Sequence, residues 1–443
     1  MKILKFGGTS VGAPARMKAV YELIKSDEPE IVVLSAVAGT TNTLVEISQA
    51  LHAKDTARAN TIIDSLEEKY GVFVDELYKT DDYKAKGKQL VKSHFDFIRT
   101  FTIDLFTINE EKAVLAQGEL ISTALFHYML EEDGYPSVLL PALDFMRIDE
   151  NSEPDMNYIS QNLSAEIAKY PGNKLFITQG FICRNTFGEI DNLKRGGSDY
   201  TASLVGAAIN ADEIQIWTDI DGMHNNDPRI VGKTYPIAEL SFDEAAELAY
   251  FGAKILHPSS VLPAQLKNIP VRLLNTMQPE AHGTVIKAHT DGHSIKAVAA
   301  KDGITTIKIK STRMLLAHGF LRRVLEVFER YRTSIDMITT SEVAVAVTID
   351  NDQYLEPIMA ELKEFCSVET EINQTIICIV GDFVGEKTGY AARVFDALKD
   401  VPIHMISYGA SQNNITLLVD SANKKPALVA LNEGIFGLVP AMA

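Results

Sequence analysis

From Met1 to Ile220 the chain alternates short β-branched apolar runs with segments whose apolar residues recur at helical spacing. The runs are Met1–Phe6, "EIVVLSAVAG" (Glu30–Gly39), "SVLLPA" (Ser137–Ala142), "KLFITQGFI" (Lys174–Ile182) and "EIQIWTDI" (Glu213–Ile220). Helical patterns fall at Arg16–Ile24, Glu111–Glu131 and Asp199–Asn210. Such a rhythm predicts an open, largely parallel α/β sheet in three layers, with helices on both faces. One segment breaks it. Ala53–Thr107 is long, charged and helix-forming, and predicts a helical excursion from the sheet that serves as a lid or a dimer surface.

Bulk properties narrow the function. A chain of 443 residues predicts about three domains, and 46% hydrophobic with 23% charged residues is an ordinary globular mixture. The net charge of −17 repels nucleic-acid backbones and anionic membranes, which argues against both as partners. A small anionic substrate would need a local basic pocket. Cys183, Cys366 and Cys378 are widely spaced with no C-x-x-C, so neither a disulfide framework nor a metal site is expected, and a reducing cytoplasm fits best. The N-terminal apolar run is too short for a signal peptide, and no run is long enough to cross a bilayer.

The stretch "LKFGGTSVG" (Leu4–Gly12) follows the first strand and precedes a helix. Backbone N–H groups at a helix N-terminus favour an anion, glycine lets the main chain approach phosphate oxygens, and lysine adds a point charge. The same residues would also serve as a tight turn carrying an exposed lysine. The chain has no Walker A sequence; its nearest imitation, Gly385-Glu386-Lys387-Thr388, has Glu where the second glycine belongs.

Composition shifts at Met277–His293, and an internal repeat follows. Gly319, Arg323 and Val324 recur at a constant offset as Gly389, Arg393 and Val394. After a slightly shorter helix, Ile335-Asp336-Met337-Ile338 recurs as Ile403-His404-Met405-Ile406. Each copy reads strand, helix, strand, strand, helix. Only the first has an obvious closing strand, Ser367–Asn373, while His293–Ala300 is a spare strand before it. The expected arrangement inserts the first copy within the second: 1–285 as one domain, 301–373 as a second, and 293–300 with 374–443 as a third.

Four further stretches join the opening turn: "LSAVAGTTNTL" (Leu34–Leu44), "AQGELIST" (Ala116–Thr123), "NLKRGGSDYTA" (Asn192–Ala202), and "TDIDGMHNNDPRI" followed by "FGAKILHP". "AQGELIST" is expected to open a helix with Glu119 at its start, and Asp199 to cap a helix beginning at Tyr200. With the tandem repeat, these stretches resemble the aspartate kinases of the amino-acid kinase family, in the single-chain form with two C-terminal ACT domains. The resemblance runs from Lys2 to Phe436. It implies a carbamate-kinase-like open sheet plus two βαββαβ ACT domains, and transfer of the ATP γ-phosphoryl group to the side-chain carboxylate of L-aspartate. That reaction, giving 4-phospho-L-aspartate, opens lysine, threonine and methionine biosynthesis.

Carried over by motif, the resemblance implies that Lys5, Gly7 and Gly8, with Thr9 and Ser10, hold the ATP phosphates. Asp199 would orient Lys5 and the substrate amine. Arg195 would grip the α-carboxylate and Glu119 the ammonium, with Thr41, Phe181 and Ser198 completing the substrate site. Thr218, Asp219, His224, Arg229, Lys254 and Ile255 fall at the nucleotide. Mg²⁺ is expected to arrive on the ATP phosphates rather than on protein ligands. Two departures stand out: His224 where the family commonly has Tyr, and Lys194 directly before Arg195. Trp217 reads as core and His257 as a structural histidine.

"STRMLLAHGFL" and "TSIDMITTSEV" resemble the lysine-sensing version of the ACT domain. Met314, Ala317, Gly319, Ser334, Asp336, Thr340 and Ser341 would line the effector pocket, with Asp336 facing the ε-ammonium of lysine. ACT pairing implies a homodimer or homotetramer. Two other readings stay open: a kinase acting on glutamate or acetylglutamate, and a non-catalytic amino-acid sensor.

Overall fold

The structure is a computed structural model and describes residues 1–103, 105–193, 196–252, 256–290, 294–310, 319–383 and 389–438. The chain divides into two compact units, Met1–Met223 with Leu256–His289 and His224–Ile255 with Thr290–Ala443.

The first unit opens with β1 (Lys2–Phe6), α1 (Pro14–Leu23), β2 (Glu30–Leu34) and α2 (Thr40–His52). The helices α3 (Thr56–Leu77), α4 (Asp81–Thr100) and α5 (Ile108–Glu132) follow. Next come β3 (Val138–Leu140), α6 (Ala142–Phe145), α7 (Met156–Ala168) and β4 (Leu175–Gln179). The hairpin β5 (Ile182–Arg184) and β6 (Ile190–Asn192) leads to α8 (Gly197–Ile209) and β7 (Glu213–Thr218). A stretch belonging to the second unit carries β8 (Glu239–Ser241) and α9 (Phe242–Tyr250), after which the first unit resumes with α10 (Pro258–Leu266), β9 (Val271–Asn275) and β10 (Thr284–Lys287).

Its strands run in the order β3-β4-β2-β1-β7-β9-β10. All neighbours are parallel except β10, which is antiparallel to β9. Every residue of β2 and β4 is buried, which is why both read as continuous apolar runs: a parallel sheet covered on two faces has no solvated side. The chain leaves β1 toward β2 and later returns to its other flank at β7, so the sheet reverses direction at β1, where open α/β sheets bind ligands beyond their carboxyl ends.

The helical excursion is α3 and α4. Their faces bearing Ile63, Leu66, Tyr70, Phe73, Phe95 and Ile98 join the core beneath β1 and β2. Each such side chain stabilises by about 1.5–3 kcal/mol.

Four local expectations need correction. The run expected at Glu30–Gly39 is a strand only to Leu34, and the one at Lys174–Ile182 only to Gln179. In the second, Phe181 takes the left-handed region at φ 68°, and its N–H donates to Thr201 Oγ1 (2.9 Å) instead of to a sheet neighbour. Glu119 does not open a helix. A capping box of Thr107 and Glu110 starts α5 eleven residues earlier by number, at Ile108, leaving Glu119 in mid-helix. Nor does Asp199 cap α8. Gly196, at φ 75°, is the residue before the helix and Asp199 sits in its first turn, because glycine reaches that conformation without a Cβ clash.

The second unit continues with β11 (Ile295–Lys310), α11 (Phe320–Arg330), β12 (Met337–Thr340), β13 (Ala344–Ile349) and α12 (Leu355–Lys363). It ends with β14 (Ser367–Gly381), α13 (Tyr390–Ala397), β15 (Met405–Tyr408), β16 (Asn414–Asp420) and α14 (Lys424–Phe436). One six-stranded sheet runs β12-β13-β11-β14-β16-β15. The first part of β11, Ile295–Lys301, lies against Ile376–Gly381, and its last part, Thr306–Lys310, against Ser367–Glu371. Asn373, at φ 59°, marks the changeover within β14. Two hydrophobic cores result. One, around Val324, Phe328 and Ile358, holds the first repeat; the other, around Val394, Leu417 and Leu428, holds the second.

Candidate active site

Beyond the carboxyl ends of β1, β2 and β4, a cleft of about 320 Å³ opens in the first unit. It is lined by the β2–α2 turn from Ser35 to Gly39, by Thr41 and Asn42 in the first turn of α2, by Gly8, Glu119 and Phe181, and by Gly197 and Ser198 at the start of α8. Lys5 Nζ lies 2.7 Å from Asp199 Oδ1, with their side chains only 11% and 16% exposed. Gly7 keeps the space beside that ammonium open, since a Cβ there would stand 3.4 Å from Lys5 Nζ. A strand end and a helix start from distant parts of the sequence thus deliver one buried ion pair.

Glu119 is 4% exposed. Its Oε1 accepts the Ala36 N–H at 3.2 Å, while Oε2 is buried with no hydrogen-bond partner. Burial pushes this carboxyl up to about 8, opposed by the Ala36 N–H and the charge of Lys5. An orphaned carboxylate oxygen facing a cleft fits a donor that arrives with a ligand, and an ammonium satisfies both its charge and its lone pairs. Ser35 Oγ donates to Ser198 Oγ at 2.9 Å, and Thr41, in the first turn of α2, completes that wall.

The opening turn is held from below. Gly7 N–H donates to Trp217 O (3.3 Å), and Ser10 Oγ, 3% exposed, contacts Thr276 Oγ1 (2.6 Å) and Trp217 O (3.4 Å). The Ser10 hydroxyl therefore faces the scaffold, whereas Thr9 is exposed. Trp217 is core, stacked on Phe6 at 5.7 Å. His257 precedes α10 and its Nδ1 accepts the Ser259 N–H at 3.3 Å, a capping role.

Of the nucleotide residues, Thr218 ends β7 and Asp219 follows it in the first unit, with Thr218 Oγ1 donating to Asp219 Oδ1 at 3.2 Å. His224 and Arg229 belong to the second unit. There His224 Nδ1 contacts Thr234 Oγ1 (2.7 Å), and Arg229 forks onto Asp227 (2.9 and 2.8 Å). Arg195, Lys254 and Ile255 lie outside the described residues, as do Met314 and Ala317 of the effector set. Gly319 precedes α11 at φ 86°. Ser334, Thr340 and Ser341 are exposed, and the Asp336 side chain is fully buried.

Sequence reasoning missed Ser35, the N–H of Ala36, Asn42 and Thr201. The first three follow the carboxyl end of β2, the place where open α/β sheets bind ligands, and that rule would have found them once the strand's end was known. Thr201 carries no such signal.

Residues 1–275 match the amino acid kinase family and residues 377–434 match an ACT domain. The chain is 32% identical to the lysine-sensitive aspartokinase 3 of Escherichia coli K12, over 98% of this chain and 99% of that protein. Two solved structures of E. coli aspartokinase III superpose on it, each at 32% identity over 98% of this chain. The complex with lysine and aspartate (T-state) gives a TM-score of 0.82 and covers 99% of that chain. The complex with aspartate and ADP (R-state) gives 0.83 and covers all of it. The chain belongs to the amino acid kinase family and, within it, to the aspartokinases.

Proposed function

We propose that the protein transfers the γ-phosphoryl group of ATP to the β-carboxylate of L-aspartate and is inhibited by lysine. The observation that carries this reading is a largely buried Lys5–Asp199 pair beside the cleft into which Glu119 brings a carboxylate oxygen with no hydrogen-bond partner. The substrate's ammonium pairs with Glu119, and Arg195 takes its α-carboxylate. The β-carboxylate is already an anion at pH 7 and needs no general base. One of its oxygens bonds to the γ-phosphorus, the bond to the β–γ bridging oxygen breaks, and ADP leaves without any proton transfer. What the protein supplies is position and charge: Lys5, beside the Gly7-Gly8 turn, neutralises oxygens of the transferring group, and Asp199 holds Lys5 in place. Thr218, Asp219, His224, Arg229, Lys254 and Ile255 receive the nucleotide, and Mg²⁺ enters as part of the ATP complex.

The proposed domains are 1–285, 301–373, and 293–300 with 374–443. Pairing between chains at the outer strands β12 and β15 is supported by the exposure of Ile338, Ile406 and Tyr408, at 43%, 45% and 52%. A cytoplasmic setting is supported by three free cysteines. No described helix is long and apolar enough to cross a membrane.

ADP release assayed with L-aspartate, L-glutamate and acetylglutamate, with and without lysine, tests the reading. Turnover is expected with aspartate and its loss on adding lysine; turnover with acetylglutamate alone overturns the assignment.

A further inference from the structure

Asp336 is the anion proposed for the effector's ammonium, and within the second unit it already has company. Its Oδ1 accepts the Tyr250 hydroxyl at 2.8 Å and the Lys301 ammonium at 2.9 Å. Its Oδ2 is buried and has no hydrogen-bond partner, although the side chain is fully buried. Lys301 Nζ also reaches Asp350 Oδ2 at 2.8 Å and sits 4.5 Å from the centre of the Tyr250 ring. Burial and the adjacent Asp336 carboxylate push the Tyr250 hydroxyl up, so it remains a donor.

Tyr250 is the last residue of α9. Phe251 packs its edge on the Tyr250 ring at 5.0 Å. Gly252, at φ 133°, lies so close to the carbonyl of Ala300 that a Cβ there would collide with it. Tyr250–Gly252 is thereby fixed against Ala300–Lys301. Lys254, two positions further in the sequence, is one of the residues proposed to receive the nucleotide.

We infer that the Tyr250 hydroxyl couples the effector anion Asp336 to the segment that leads into the nucleotide residues, with Lys301 acting as a built-in competitor for the effector's ammonium. The inference rests on the reading of Asp336 as the effector's anion. An ammonium seated on Asp336 carries the same charge as Lys301. It draws on a carboxylate that already has two donors, so the effector-bound state holds Tyr250 and Lys301 less well than the effector-free state. A bond present in one state only biases the equilibrium by its own strength, and lysine must overcome that bias to inhibit.

The test titrates lysine into full-length enzyme turning over aspartate and ATP, with calorimetry of lysine binding alongside. Tyr250→Phe keeps the ring and removes the hydroxyl. Its uninhibited turnover is expected to stay within about twofold, while the half-inhibitory lysine concentration falls about three- to tenfold, as for the net loss of one hydrogen bond. Lys301→Gln, which leaves Tyr250 intact, should move it the same way. Half-inhibitory concentrations unchanged or raised in both variants, with lysine heats retained, overturn the coupling and leave the effector site standing. An absence of lysine heat in the wild-type enzyme overturns both. Asp336→Asn, expected to abolish the heat, separates the two.

Discussion

Lys5 and Asp199 form a 2.7 Å ion pair between the last turn-ward lysine of a parallel strand and the first turn of a helix nearly two hundred residues later. The pair holds one ammonium beside the cleft, near enough for its charge to act on the Glu119 carboxyl. Replacing Lys5 by Ala is expected to lower kcat about 10²–10³-fold, the scale for losing one preorganised charge-stabilising donor. Asp199→Asn keeps the shape and loses the charge, and should cost less, about tenfold to a hundredfold, through misplacement of Lys5. ADP release at saturating substrates measures both. Wild-type turnover in Lys5→Ala rules out its role.

The raised pKa of Glu119 makes aspartate binding pH-dependent. Only the ionised carboxylate pairs with the substrate ammonium, and burial holds the group near 8. Below that value each binding event must first release the proton. KM for aspartate should therefore fall as pH rises from 6 to about 8, by nearly tenfold per unit at the acid end, with kcat less affected. Glu119→Gln should flatten the profile at a high KM. A flat wild-type profile across this range contradicts the assignment.

Gly180 has no room for a side chain: a Cβ would stand 2.5 Å from Ser198 Cβ and Oγ and 2.9 Å from Ser198 Cα. Gly180→Ala should destabilise the protein by about 1–3 kcal/mol and displace Ser198 from the cleft wall. A lowered thermal midpoint together with a raised KM for aspartate is the expected pair of results.

The shared strand β11 makes the limits of the second unit testable by truncation. A fragment of residues 294–443 keeps Ile295–Lys301 on Ile376–Gly381 and should be soluble with a cooperative unfolding transition. One starting at residue 304 strips that neighbour from β14, exposes Ile377 and Ile379, and should aggregate. Equal solubility of the two fragments counts against the inserted-repeat arrangement.

The parallel sheet was legible because buried strands leave uninterrupted apolar runs, and the tandem repeat because its anchors keep register. Lys5, Gly8, Glu119 and Ser198 were legible as motif residues, and they meet at one cleft or beside it. Their local settings were not. Where β2 and β4 stop depends on backbone groups turning toward the cleft rather than on side-chain pattern, so Ser35 and the N–H of Ala36 were hidden inside an apparent strand. The start of α5 was decided by a capping box whose Thr107 stands nine positions ahead of the conspicuous "AQGELIST". Tyr250 on Asp336 is a contact across 86 residues of chain with no local periodicity to announce it.

The two central strands of the six-stranded sheet, β11 and β14, each run through both ACT repeats, their pairing shifting register between Lys301 and Thr306 where one repeat gives way to the other. The repeats are therefore joined by two covalent backbones, so a change of pleat or pitch at one end has a direct route to the other through that bulged junction. A small molecule seated on either half is expected to be felt in the other through that shared spine.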